Sequence, residues 1–402
     1  MNRERLNDEC RSMHDWLVGI RRELHQWPEL GNEEVRTASR VEAELQRLEI
    51  DYERTETAIV GIVRGKRPGR TVALRADMDA LPIRERTGLE FASRDDGKMH
   101  ACGHDAHTTI LLGAARWFAE HRTELVGNVK LLFQPAEETT GGAKPMIARG
   151  CLESPHVDYV FGLHVMPYLP VGRVETRHGT LNGCSTSLTI TIHGRGGHGA
   201  YPETGVDAVL VASHVVVALN NLVSRAVSPL ESAVITVGTI NGGTRANIIA
   251  DRVTLSATLR AITDTLRDTL VEKVRQVVSG VSAAFGATGE VEVSYGYIAL
   301  VNHPEAVELV AQTAEELLGS DSVVWKESPS MGVEDFSFFL TETPGAFYHL
   351  GCASPEHEYA PLHSSRFVLN EECLPVGVAM QVALTLRALE TASIESTPLE
   401  AV

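Results

Sequence analysis

The spacing of apolar residues changes period several times along the chain. Between residues 10 and 48 they recur at helical spacing, with Trp16, Leu17, Ile20 and Leu24 on one face, and Pro28 interrupts the pattern. This predicts helix on both sides of that proline. Short unbroken apolar runs follow at 71–74, 129–133 and 159–163, with a small-residue, helical stretch at 108–118. Runs of that length read as buried strands. Strands separated by helices predict an α/β layer built on a mostly parallel sheet.

The middle of the chain follows a different rhythm. Residues 187–192 alternate as a strand, 207–223 read as a helix, 233–240 and 252–259 as strands, 263–285 as a helix and 290–295 as a strand. That order, β-α-β-β-α-β, is the ferredoxin-like pattern. A unit of this kind inside an α/β chain predicts an inserted α+β domain. The expected division is 1–182 for the first segment of the α/β domain, 183–296 for the insert and 297–402 for the second segment. Helices are expected at 304–318 and 374–392. Residues 393–402 are expected to be a frayed polar tail.

Composition narrows the function classes. The 402 residues are 43% hydrophobic and 22% charged, ordinary for a globular protein, and at roughly 150 residues per domain they predict two or three domains. The net charge of −17 argues against a nucleic acid or an anionic membrane as partner, since both demand a Lys/Arg surface. No unbroken apolar run approaches the ~20 residues of a membrane span. The first thirty residues are charged throughout and lack the apolar stretch of a signal peptide. Six cysteines without C-x-x-C spacing predict a reducing, cytoplasmic setting. The sixteen histidines are the unusual count, and they direct attention to metal chemistry.

The densest candidate is His100-Ala101-Cys102-Gly103-His104-Asp105-Ala106-His107, five possible ligands in eight positions. Thiolate and imidazole suit zinc and similar divalent ions. In an extended segment Cys102 and His104 would point the same way. Glu137 and Glu138 follow the apolar run at 129–133 in Phe133-Gln134-Pro135-Ala136-Glu137-Glu138. Adjacent residues project differently, so one carboxylate can hold a metal while the other addresses a water. His164 ends the run at 159–163, where a lone histidine is more often a hydrogen-bonded core residue than a ligand. His363 lies in a late loop and alone means little. Asp77, in Arg75-Ala76-Asp77-Met78-Asp79-Ala80-Leu81-Pro82, reads either as a partner orienting a liganding histidine or as a turn-capping aspartate. The glycines of Gly194-Arg195-Gly196-Gly197-His198-Gly199 lack dinucleotide-binding spacing and context.

Taken in order, RADMDALPI (75–83), MHACGHDAHT (99–108), FQPAEE (133–138), GLHVMP (162–167), GRGGHGAYP (194–202), GGTRANIIAD (242–251) and MGVEDFSFF (331–339) resemble the aminoacylase/carboxypeptidase family of metal-dependent amidohydrolases. The subgroup is that of hippurate hydrolases, N-acyl-amino-acid hydrolases and plant auxin–amino acid conjugate hydrolases. The resemblance spans nearly the whole chain. It implies a zinc-peptidase-like catalytic domain with an inserted lid and dimerisation domain, and two divalent ions per subunit (zinc, manganese, cobalt or nickel). It places the ligands at Cys102, His104, Glu138, His164 and His363, with Cys102 bridging, and the general base at Glu137. His198 would help polarise the scissile carbonyl, and Asn247 and Arg260 match substrate-contacting positions. The segment 186–190, Thr-Ser-Leu-Thr-Ile, departs from the usual Asp-x-Phe-x-Ile there.

The expected reaction is metal-assisted hydrolysis of an N-acyl amino acid to a carboxylic acid and a free amino acid, in a homodimer or dimer-based homotetramer. A second reading keeps the metal site but changes the substrate to N-acetyl-diaminopimelate, an aryl amide or a dipeptide. A third is a non-catalytic binding module, which the full set of ligands opposes.

Overall fold

Four adjacent parallel strands, Val126–Gln134, Arg67–Asp77, Tyr159–Met166 and Gly345–Gly351, form the centre of an eight-stranded sheet in the computed structural model, which describes residues 3–391. Residues 71–77 and 159–165 are buried without interruption. Strands buried on both faces carry no polar alternation, which is why they stand out as unbroken apolar runs. The hairpin Asp51–Thr55/Ala58–Arg64 extends the sheet antiparallel on one side. On the other side Val174–Thr176 runs antiparallel to Gly345–Gly351, and Val323–Trp325 runs parallel to Val174–Thr176.

The carboxyl ends of the four central strands, Gln134, Asp77, Met166 and Gly351, share one edge. After Arg67–Asp77 the chain crosses to Val126–Gln134 on one side, then to Tyr159–Met166 on the other. The crevice outside such a reversal is where open α/β sheets bind ligands.

The chain divides into two compact units. Among the described residues one comprises 3–181, 301–328 and 335–391, and the other 182–300 and 329–334. In the second, four antiparallel strands stand in the order Ala233–Gly242, Arg252–Ala261, Cys184–His193, Thr288–Tyr295, with helices Ala208–Ala226 and Asp264–Ala284 between them in sequence. This is the ferredoxin-like arrangement. Val253, Leu255, Ala257, Leu259 and Ala261 alternate inward along one strand. The Asp207 carboxylate accepts the Val209 and Leu210 N–H groups at 2.9 and 3.3 Å, and the Thr263 hydroxyl accepts that of Leu266 at 3.2 Å, so both helices begin on a side-chain cap. The return of 329–334 to this unit carries no hydrophobic signature. It rests on polar contacts, among them Gly183 N to Ser330 O at 2.8 Å.

The structure departs from the pattern-based expectations in several places. Helix begins at Arg3 rather than at residue 10, as Arg3–Ser12, His14–Gln26 and Val35–Arg47. The charged edge strand Asp51–Thr55 shows no apolar pattern, and Gly345–Gly351 is masked by its terminal glycines and by His349. Two helices, Ala208–Ala226 and Cys373–Glu390, are long and apolar enough on average to cross a bilayer, which a search for unbroken runs does not find. Cys373–Glu390 is mostly buried in the core of the first unit. Ala208–Ala226 buries one stripe, Ala208, Val211, Ala212, Val215, Leu219 and Leu222. The tail at 393–402 lies outside the described residues.

Candidate metal centre

The site collects at the carboxyl ends of the central strands, with Asp79 just past Asp77, Glu137 and Glu138 just past Gln134, and His164 among the last residues of Tyr159–Met166. Helix His104–Glu120 lies on the crossover after Arg67–Asp77, and its start sets the first two candidate ligands. Helix begins at His104, not near 108, so Cys102 and His104 are not extended neighbours. Gly103 caps the helix at φ 88°, and a Cβ there would stand 2.4 Å from Val165 Cγ2. Only glycine turns the chain in that space. The turn brings Cys102 Sγ to 3.3 Å from His164 Nε2.

Left-handed backbone places two further parts of the site. Ala136, which precedes the glutamate pair, has φ 59°, and His363 itself has φ 63°. Non-glycine residues hold that conformation only where surroundings enforce it. Here Ala136 N donates to Glu34 Oε1 at 2.8 Å, and His363 N donates to Ala101 O at 2.8 Å. His363 Nε2 then lies 2.9 Å from Glu138 Oε1.

The outcome is two triads that meet at one sulfur. Donor atoms of Cys102, His104 and His164 lie within 4.8 Å of one another, and so do those of Cys102, Glu138 and His363. Glu137, buried, forms a third such group with His104 and Glu138. The donor chemistry fits divalent cations of the zinc type. The tautomers fit as well. His164 Nδ1 donates to Val165 O at 2.8 Å, which leaves its Nε2 as a lone pair directed at Cys102. His104 Nε2 is buried with no hydrogen-bond partner. An orphaned imidazole nitrogen among sulfur and carboxylate donors is what a cation would satisfy.

Electrostatics point the same way. Burial, reinforced by Glu138 and Glu137, holds the Cys102 thiol well above its usual range, so the bare site keeps that proton. Burial opposes protonation of His104, but the Asp77 and Asp79 carboxylates outweigh it and raise its pKa to about 10. Burial lowers His164 far below the usual histidine value, and neighbouring His107 adds to this. Burial would raise Glu138, but His363 and His104 bring it down. A cavity that collects this much negative charge beside a neutral imidazole is built to receive positive charge.

The other members of the histidine-rich run do different work. Asp105 is fully buried against Arg21 Nε at 2.9 Å and His25 Nδ1 at 2.8 Å. His107 uses both ring nitrogens, Nδ1 on Asp77 Oδ1 at 2.6 Å and Nε2 accepting from Val165 N at 2.9 Å. Asp77 therefore orients His107, which in turn fixes the backbone beside His164. Its other oxygen takes Arg75 Nη1 at 2.6 Å and stands 3.7 Å from His104 Nε2. His100 is buried with its pKa lowered to about 4 by burial.

Asp79 is the contributor that motif reading passes over. Its Oδ1 lies 3.3 Å from His104 Nδ1 and accepts the Glu137 N–H at 3.1 Å, while Oδ2 accepts the Glu138 N–H at 2.9 Å. One carboxylate positions a ligand imidazole and both glutamates. The only available signal was the Asp-x-Asp spacing of 77 and 79.

His198, Asn247 and Arg260 belong to the second unit. His198 is exposed, with Nδ1 accepting from Ala200 N at 3.0 Å. The two-residue strand Gly197–His198 pairs with Ile248–Ile249, and Gly199 N donates to Asn247 O at 2.9 Å, so His198 and Asn247 share one exposed loop cluster. Arg260 Nη1 donates to Met331 O at 2.7 Å.

Comparison with known proteins adds a family. The profile of peptidase family M20/M25/M40 matches residues 73–387. Thermostable carboxypeptidase 1 of Saccharolobus solfataricus is 38% identical over 96% of this chain and 98% of its own length. IAA-amino acid hydrolase ILR1-like 2 of Arabidopsis thaliana is 40% identical over 94% of this chain and 86% of its own. The crystal structure of the Bacillus subtilis YXEP protein, described as a dinuclear metal binding peptidase, superposes with a TM-score of 0.83 at 31% identity, covering 95% of this chain and all of that one.

Proposed function

The chain belongs to peptidase family M20/M25/M40, and from that premise we propose that it hydrolyses N-acyl amino acids to a carboxylic acid and a free amino acid. It is a metal-dependent amide hydrolase; the acyl amino acid class is our assignment. The observation that carries it is the pair of donor triads joined at Cys102, with Glu137 buried beside them.

Two divalent cations, zinc, manganese, cobalt or nickel, would lower the pKa of a bound water and polarise the amide carbonyl. Cys102 would bridge them, with His104 and His164 holding one and Glu138 and His363 the other. Glu137 takes the proton of the attacking water and passes it to the leaving nitrogen, which needs a carboxylate within hydrogen-bond reach of both. Asp79 keeps Glu137 and Glu138 aimed by holding their backbone N–H groups. His198 and Asn247 supply donors for the tetrahedral oxygen or the substrate carboxylate, and Arg260 a positive charge for that carboxylate. The second unit acts as lid and as dimer contact, in the cytoplasm, where six free buried thiols are at home.

The test is the Glu137→Gln variant on a panel of N-acyl amino acids and dipeptides. Turnover should fall by at least ~10²–10⁴-fold, the usual worth of a general base. Metal content, read by mass spectrometry, should stay at the unmodified level. Activity retained with the amide in place would remove Glu137 from the mechanism. A panel cleaved only as dipeptides would move the substrate class to peptides.

A further inference from the structure

A further group of donors adjoins the two triads. Asp77, His104 and His107 each bring a donor atom to within 4.8 Å of one another, and they share His104 with the Cys102 triad. A carboxylate oxygen and two imidazoles also suit a divalent cation, so something has to keep the ion out of that position. His107 is closed already, because Nδ1 is engaged on Asp77 Oδ1 and Nε2 accepts from Val165 N. The atom that faces the ligand side is Asp77 Oδ2, 3.7 Å from His104 Nε2.

We propose that Arg75 is the positioning residue that does this: its guanidinium occupies Asp77 Oδ2 and so confines the cation to the triads that contain Cys102. The proposal rests on the metal-centre reading and adds to it what makes one of two adjoining positions the working one. Arg75 Nη1 donates to Asp77 Oδ2 at 2.6 Å. A guanidinium at that distance takes up a lone pair of the oxygen and sets a positive charge beside any cation that approached it. The other two nitrogens fix its aim. Nε donates to Gln134 Oε1 at 2.9 Å, and Nη2 to Asp335 Oδ1 at 2.9 Å. Gln134 Nε2 donates in turn to both Asp335 oxygens, at 2.8 and 2.9 Å, and Asp335 Oδ2 accepts from Ala143 N at 3.0 Å. Gln134 and Ala143 bracket the loop that carries Glu137 and Glu138, so one anchor holds that loop and points Arg75 at Asp77. Arg75, Asp77, Gln134 and Asp335 are all fully buried. Buried ion pairs add little stability over an apolar cluster of the same volume, so the charge itself is the feature to explain.

The experiment reads cobalt, whose bond to thiolate absorbs in the near ultraviolet. Metal-stripped protein is loaded with equimolar Co²⁺, and bound cobalt is measured by metal analysis. The unmodified protein should show the band, since both triads contain Cys102. Arg75→Gln should cut the band per bound cobalt at least about twofold, as cobalt passes to Asp77, and should lower the zinc-over-manganese preference about tenfold, because carboxylate oxygen favours the harder ion. Adding Asp77→Asn to Arg75→Gln removes the competing oxygen and should restore the band. Arg75→Lys keeps the charge but offers one ammonium to three partners, and should fall in between; it carries the test if Arg75→Gln does not fold. A band at full strength in the folded Arg75 variants overturns the proposal. So does a loss that Asp77→Asn leaves unrepaired, which marks Arg75 as a structural support only. Both of these outcomes leave the metal-centre reading in place. An unmodified protein that binds cobalt without the band removes Cys102 from the centre, and that reading then falls together with the proposal.

Discussion

Asp79 concentrates more of the site into one side chain than any ligand does. Its two oxygens accept from consecutive backbone N–H groups and face a ligand imidazole. Asp79→Asn keeps the shape but replaces one acceptor by a donor, set against N–H groups that also donate. Metal affinity is expected to fall ~10–100-fold, the usual cost of losing a residue that orients ligands. Chelator competition followed by metal analysis measures it, and an unchanged affinity would reduce Asp79 to a loop staple. This role was invisible in the sequence for a physical reason. Asp79 acts on main-chain groups some sixty positions away, and side-chain identity at 137 and 138 gives no notice of what holds their N–H groups. The ligands divide in the same way. Cys102 and His104 announced themselves by density, and Glu137 and Glu138 by their place after a buried strand. His164 and His363 stood singly, and only the ordered motifs of a resembling family separated them from ordinary histidines.

At the level of elements, three of the four central strands were legible because burial on both faces makes them unbroken apolar runs, while Gly345–Gly351, equally buried but broken by its glycines and His349, and the two edge strands were not. An edge strand is half solvated and tolerates charge. A strand that closes a gap between two others needs only backbone complementarity. Val174–Thr176 is such an element, and its Glu175 gives a pH-dependent stability. Burial alone would raise that carboxyl, but His349, Tyr168 and Lys326 outweigh it and bring it down to about 2 from the usual 4.5. A depressed carboxylate stabilises the fold above its unfolded pKa, and that contribution is lost as pH falls towards the folded value. The melting temperature of Glu175→Gln should therefore lie furthest below that of the unmodified protein above pH 4.5, with the gap closing between pH 4.5 and about 2. A gap independent of pH across that window would show that the carboxylate charge adds nothing.

For the whole molecule the proposed dimer is the property to settle. Helix Ala208–Ala226 leaves Val209, Leu210 and Val217 exposed, the last 71%. Strand Ala233–Gly242 ends the four-stranded sheet with one edge unpaired among the described residues, and exposes Val234 and Ile240. An apolar helix face beside an open edge suits a two-fold partner of the same kind. Val217→Glu is expected to convert the dimer to monomer, as read by sedimentation or light scattering. An oligomeric state unmoved by that charge would place the contact elsewhere.

The order in which the strands are made adds a consequence for synthesis. Gly345–Gly351 lies between Tyr159–Met166 and Val174–Thr176 in the sheet, yet it leaves the ribosome after both of them and after all of 182–300. The insert can finish its own four strands while the larger sheet still has a missing row. Through that interval the row Tyr159–Met166 is an apolar open edge of the sort that pairs with the wrong neighbour. His363 is later still, so the nascent chain cannot close its second donor triad until that loop has emerged as well. Growth conditions that slow elongation past residue 166 lengthen this exposure, and the yield of folded protein is where that would be seen.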